Sequence, residues 1–144
     1  MIKMRKLYPV ICLMLILLNL ACGNTRRTLS IEEGWELLGE RTVNFARDAD
    51  KLEVNSTNRY SAIRFKVEKR EVKIRDLKIV YANLDKLEPS IEEVIPADQY
   101  SKIIELGAEG KDIRSIEFKY RTTGNILKGR ATVLVFGRRY TPVY

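Results

Sequence analysis

Short runs of strictly alternating apolar and charged residues leave this chain few folds to choose from. Ile63-Arg64-Phe65-Lys66-Val67 is the cleanest run, and Glu71-Val72-Lys73-Ile74-Arg75 mirrors it after a short polar turn. Period two places the apolar side chains of an extended strand on one face and the charges on the other. Leu77-Lys78-Ile79-Val80-Tyr81 continues the pattern, but its apolar phase flips between Ile74 and Leu77. One extra residue exchanges the two faces, so the flip predicts a β-bulge or bend near Asp76.

The same signal recurs along the chain. Strands are expected from Trp35 towards Val43-Asn44-Phe45, then over Lys51–Val54, Ile91–Ile95, Ser101–Leu106 and Ile116–Tyr120. Ala131–Phe136 is nearly continuous in apolar residues, as in a central strand buried on both faces. Turn chemistry separates them: Arg47-Asp48-Ala49-Asp50, Asn55-Ser56-Thr57-Asn58, Asn83–Ser90 with Pro89, Gly107–Lys111 and Thr122–Asn125. About eight short strands with no room for helical crossovers predict an all-β, antiparallel β-sandwich or jelly roll. An outer-membrane barrel is disfavoured, because its strands need ~10 residues with apolar positions facing lipid. These are shorter, and their outer positions are charged.

The N-terminus reads as an address. Lys3, Arg5 and Lys6 precede Leu7–Ala21, a charge-free stretch of 15 residues rich in Leu, Ile and Val. Spanning a bilayer as a helix takes ~20 residues, so this is the order of a secretory signal helix. Leu20-Ala21-Cys22-Gly23 resembles the lipobox of bacterial lipoproteins, which implies a lipid on Cys22 after cleavage and a protein held at a membrane surface in the cell envelope. A signal peptide cut after Ala21 without lipidation, or an uncleaved anchor, are the alternatives. The expected organisation is a signal over 1–21, a lipidated cysteine and tether over 22–34, and one β-sandwich domain over 35–144. Ser30-Ile31-Glu32-Glu33 has capping-box spacing, but Gly34 follows at once and allows a turn or two of helix at most.

Charge and residue types then narrow the chemistry. The net charge is +7. Three cations belong to the signal, and Arg26 and Arg27 to the start of the tether, so residues 28–144 carry only +2 and nucleic-acid binding has no basis in composition. There is no histidine, and Cys12 lies in the signal, which excludes Ser-His-Asp and Cys-His catalysis and an internal disulfide. Zinc would lack imidazole and thiolate ligands. Asn44, Asp48 and Asp50 are oxygen donors available to calcium, but Asp in a β-turn caps its own backbone and needs no metal. Glu92, Glu93, Glu105 and Glu117 are candidates for glycoside hydrolysis by residue type alone. Asn55-Ser56-Thr57 matches a glycosylation sequon, an accident in a bacterial lipoprotein. No cofactor, no metal and no enzymatic activity are expected.

One surface feature stands out. If Lys69-Arg70 closes a hairpin, Lys66 faces Lys73 and Arg64 faces Arg75, and like charges directly opposite are unfavourable. Either acids from neighbouring strands such as Glu105 or Glu117 interleave, or the register differs, or Arg64, Lys66, Lys73 and Arg75 form a cationic patch for an acidic glycan, a lipid headgroup or a protein. Trp35 and Tyr100 are the aromatics to watch. Exposed on a concave sheet they favour glycan binding, whereas a buried Trp35 is core.

From Leu38 to Gly137 the chain is similar to a group of small secreted bacterial domains of unknown function. The likeness is carried by Leu38-Gly39, Val43-Asn44-Phe45 with Asp48 and Asp50, Ile63–Val67 and Tyr81-Ala82-Asn83. Ile113–Thr122, Ala131-Thr132-Val133 and Phe136-Gly137 complete it. It implies a β-sandwich and a secreted compartment, and no activity. The expected function is a non-enzymatic accessory or interaction module of the envelope, with a ligand-binding sandwich for glycan or an anionic surface as the alternative.

Overall fold

A computed structural model describes residues 29–43, 49–122 and 129–144. The expected signal segment, Cys22, most of the expected tether, and the calcium candidates Asn44 and Asp48 lie outside the described residues. Nine strands and no helix occur among the described residues. They are β1 (Trp35–Val43), β2 (Ala49–Glu53), β3 (Tyr60–Glu68), β4 (Val72–Tyr81), β5 (Lys86–Leu87), β6 (Glu93–Ile95), β7 (Ile104–Glu105), β8 (Ile113–Thr122) and β9 (Ala131–Arg139). Ser30–Glu33 opens on a turn, not a helix: Gly34 adopts φ +83° and the Trp35 amide donates to the Glu32 carbonyl at 3.0 Å.

Two antiparallel sheets face each other. Sheet A runs β1-β9-β3-β7; sheet B runs β2-β8-β4-β5, with β6 also on β4. The fold is the all-β antiparallel sandwich that the alternation predicts. β9 is central in sheet A, and Ala131–Gly137 are buried without a break, as their apolar run requires. The expected bulge is present: the register of β4 against β8 slips between Ile74 and Asp76, after which Leu77 and Ile79 point inward again.

The hairpin of Ile63–Val67 with Val72–Ile74 does not exist. β3 lies in sheet A and β4 in sheet B, and the chain crosses between the layers at Lys69, whose φ is +72°. The physical reason lies in the pattern itself. Two neighbouring runs with matched apolar faces are equally satisfied side by side in one sheet or face to face across a core. Here Phe65 and Val67 enter the core from one layer, and Val72 and Ile74 from the other. Phe65 meets Phe118 of sheet B edge-on, with ring centroids 5.6 Å apart. Burying each such side chain is worth about 1.5–3 kcal/mol, so the sandwich is held by its interlayer contacts.

The β3 edge of sheet A is filled by an extended segment. Asp98 and Ser101 donate backbone hydrogen bonds to Val67 and Phe65, at 2.8 Å each. The Ser101 hydroxyl also accepts the Phe65 amide at 2.9 Å. Only Ile104–Glu105 of the expected Ser101–Leu106 strand is regular. The remainder still runs beside β3 and bridges Tyr100 to Lys66.

Candidate ligand-binding face

Parity sorts sheet A into two faces. Odd residues of β3 and β9, such as Phe65, Val67, Val133 and Val135, enter the common core. Even residues face outward, and the register aligns Arg64 with Phe136 and Leu37, and Ala62 with Arg138 and Trp35. This outer face is not simply solvated. Leu134 and Phe136 are buried on it, and Trp35 is only 8% exposed although it stands outside the common core.

The centre of the face is a cation held between two rings. The Arg64 guanidinium lies 4.1 Å from the Trp35 ring and 4.1 Å from the Tyr100 ring. β1 supplies one ring and the edge segment beside β3 the other, while β3 supplies the cation. Desolvated cation–π contacts are worth about 2 kcal/mol, so this stack is a rigid structural feature. Tyr100 meets Phe136 edge-on at 5.9 Å. Lys66 places its ammonium 5.5 Å from the same Tyr100 ring, and Arg138 its guanidinium 5.8 Å from Trp35. Tyr100 keeps 37% of its surface open.

Acids complete the face from its rim. Arg64 Nη2 donates to Glu32 Oε2 at 2.9 Å, and Arg138 Nη2 to Glu105 Oε2 at 2.7 Å. Arg138 Nε donates to Ser61 Oγ at 3.0 Å. Arg64 Nε is buried and has no acceptor.

The four residues of the expected cationic patch are therefore divided. Arg64 and Lys66 share the outer face of sheet A with Trp35 and Tyr100. Lys73 and Arg75 belong to β4 in sheet B, where Lys73 pairs with Glu92 at 2.7 Å and Arg75 is the exposed residue of the bulge. The Lys66–Lys73 and Arg64–Arg75 contacts do not form, which removes the like-charge conflict. The carboxylates singled out for hydrolysis are also spread apart: Glu105 lies on sheet A and Glu117 on sheet B. Asp50 accepts the Tyr120 hydroxyl at 2.7 Å. Among the described residues no group of acidic, histidine or cysteine side chains is arranged to hold a metal.

Sequence reasoning missed Arg138 and Glu32 as members of the face. Leu134, Phe136 and Arg138 do alternate at the end of β9, which was the available signal. Glu32 carried none, because capping-box spacing pointed to a helix instead.

The outer face of sheet B differs. A groove of about 1130 Å³ crosses it, lined among others by Lys51, Asp76, Lys78, Glu88, Glu117 and Lys119. Its charges are matched: Lys51–Glu53 at 2.6 Å, Lys78–Glu117 at 2.8 Å and Lys119–Asp76 at 3.5 Å. The hydrogen bond from Lys78 holds the Glu117 carboxyl below the ordinary glutamate range, and Glu117 in turn raises Lys78. Phe118, its sole aromatic lining residue, is buried.

Among solved structures, the chain is similar to AlgX of Pseudomonas aeruginosa at 15% identity and a TM-score of 0.44. That match covers 72% of this chain and 26% of the other, so the chain spans about a quarter of AlgX. It is similar to a protein from E. coli strain K12 at 15% identity and a TM-score of 0.39, over 81% of this chain and 93% of that one. A family 29 carbohydrate-binding module matches at 21% identity and a TM-score of 0.37, over 76% and 82%. At identities and scores this low the likeness carries no argument about what this chain does. No curated protein matches the sequence. Residues 10–137 match the family model described as a domain of unknown function, DUF2541, and the chain belongs to that family.

Proposed function

We propose that this protein is a non-enzymatic binding module that holds a glycan across the outer face of sheet A. Tyr100 is the platform on which a sugar ring stacks, and Arg64 and Lys66 are its polar clamps. One observation carries the reading: a part-exposed tyrosine, Tyr100, whose ring already bears a guanidinium at 4.1 Å and an ammonium at 5.5 Å. A pyranose has an apolar C–H face that packs on an aromatic ring and hydroxyls around its rim. Tyrosine offers both a flat apolar body and a polar edge. Glu32 and Glu105 add acceptors for those hydroxyls, beside donors on Arg64, Lys66 and Arg138. A binding site of this kind needs a few placed polar groups around an apolar surface, and that is the composition of this face.

The lipobox-like Leu20-Ala21-Cys22 supports a place for the module in the bacterial envelope, tethered by lipid to a membrane. A module on a tether needs no catalytic group to act, only a face that captures its ligand.

Affinity electrophoresis of the purified protein through gels containing acidic or neutral polysaccharides tests the reading. The intact protein is expected to be retarded by at least one polymer. Tyr100→Ala should weaken that retention about tenfold, since one stacking contact is worth about 1.4 kcal/mol, in a protein that still unfolds cooperatively at a melting temperature lowered by the loss of the Arg64 and Phe136 contacts. Lys119→Ala, on the other sheet, should leave it unchanged. Migration unaffected by every polymer, or equal retention of Tyr100→Ala, overturns the proposal. Retention by phosphatidylglycerol vesicles in place of any glycan replaces it with a membrane-surface role.

A further inference from the structure

Resting on the glycan reading above, the geometry points to a narrower ligand class: a polyuronate, whose carboxylate takes the place that Glu32 occupies on Arg64. Glu32 is an internal stand-in for the ligand's acid group.

The asymmetry of the Arg64–Glu32 pair carries this. The Arg64 side chain is 11% exposed and clamped between two rings, whereas that of Glu32 is 65% exposed. The cation is built into the face and the anion is laid over it from a turn ahead of β1. Arg64 cannot turn away without breaking the stack. Glu32 can swing into water while Arg64 stays in place, because one hydrogen bond holds the exposed carboxylate whereas two rings hold the cation.

The donor geometry agrees. A guanidinium engages a carboxylate best through two parallel N–H groups of its planar fork. Glu32 takes one bond, at Nη2, and Nε is left without an acceptor. The fork is thus only partly used in the resting state. A sugar carboxylate arriving over Tyr100 fits the same fork, and a neutral pyranose brings no group that matches it. Glu105 repeats the arrangement on Arg138, again as an exposed carboxylate on a cation beside Trp35.

Polygalacturonate and its fully methyl-esterified form make the test, because they share a backbone and differ in the carboxylate. Binding of the full-length protein, Glu32→Gln and Glu53→Gln is compared on both. Glu53→Gln removes the same charge on sheet B, where Glu53 pairs with Lys51. Glu32→Gln is expected to bind polygalacturonate about threefold more tightly, the scale of displacing one weakly held carboxylate, and the methyl ester as before. Glu53→Gln should match the intact protein on both polymers. If the two variants tighten binding equally, a general charge effect replaces the stand-in. If the intact protein holds ester and acid equally through Tyr100, and Glu32→Gln changes neither, the inference fails and the glycan reading survives. If neither polymer nor any other glycan is bound, the glycan reading fails and this inference falls with it.

Discussion

The two outer faces of this sandwich are built from the same kinds of charged residue, yet they are different surfaces. On sheet B, Lys51, Lys78 and Lys119 each stand 2.6–3.5 Å from a carboxylate beside an open groove. On sheet A the cations have carboxylates too, Arg64 on Glu32 at 2.9 Å and Arg138 on Glu105 at 2.7 Å, but they also lie on aromatic rings, over the buried residues Leu134 and Phe136. The difference teaches that a charged outer strand position has no fixed meaning. Among acids in water it contributes little beyond solubility. Stacked on rings, its geometry becomes fixed and it can select a ligand.

The comparison breaks most sharply at the base of the two faces. Phe136→Ala is expected to cost about 3–5 kcal/mol in denaturant unfolding, the price of a large buried side chain, although its side chain points away from the common core. Lys119→Ala, at an outer position of sheet B, should stay within about 0.5 kcal/mol. If Phe136→Ala costs no more than Lys119→Ala, sheet A has no second apolar layer and the stack above it has no foundation.

Much of this was legible in the sequence and part of it was not, for physical reasons. β9 was legible because a strand covered on both sides cannot afford polar residues, and Ala131–Phe136 has only Thr132. The bulge near Asp76 was legible because a phase flip inside one strand admits few explanations. The partner of β3 was not, since period two is identical for strands paired edge to edge and strands packed face to face. That single ambiguity joined Arg64 and Lys66 to Lys73 and Arg75. It also hid the true neighbours: Trp35 lies 29 positions before Arg64 and Tyr100 lies 36 after it. The function class expected first, an interaction module, needed no particular face, whereas the ligand-binding reading proposed above is argued from the stack on sheet A.

A smaller effect sharpens the contrast between a stacked cation and a paired one. Arg64→Lys keeps the charge and loses the plane that fits between Trp35 and Tyr100. Stability should fall by about 1 kcal/mol, part of the worth of a desolvated cation–π contact. Trp35 is the sole tryptophan of the chain, so its fluorescence reports the site directly. Its emission should move to longer wavelength as water enters beside the ring. An unchanged spectrum with unchanged stability would reduce the Arg64 stack to ordinary surface charge, like that of sheet B.

The smallest effect belongs to sheet B and concerns pH. Lys78 donates to Glu117 at 2.8 Å, and each shifts the other. Glu117 titrates below the ordinary glutamate value of 4.5, so its contribution to folding is present above that value and is lost as pH falls through its lowered folded value. Lys78 titrates above its ordinary 10.5, so its contribution is present below that value and is lost as pH rises past it. Between the two the pair gives a flat plateau, and Lys78→Gln should lower that plateau by less than Arg64→Lys lowers stability on sheet A. Unfolding midpoints of Lys78→Gln, Glu117→Gln and their double variant, measured across the acid edge and in high salt beside Arg64→Lys, check this. Salt at 1 M should weaken the Lys78–Glu117 coupling, because the Debye length then shrinks to about 3 Å, the scale of this exposed contact. The Arg64 stack should persist, because its cation is shielded from solvent by two rings. Equal loss of both in salt would make the two faces electrostatically alike and leave Tyr100 as an aromatic on an ordinary charged surface.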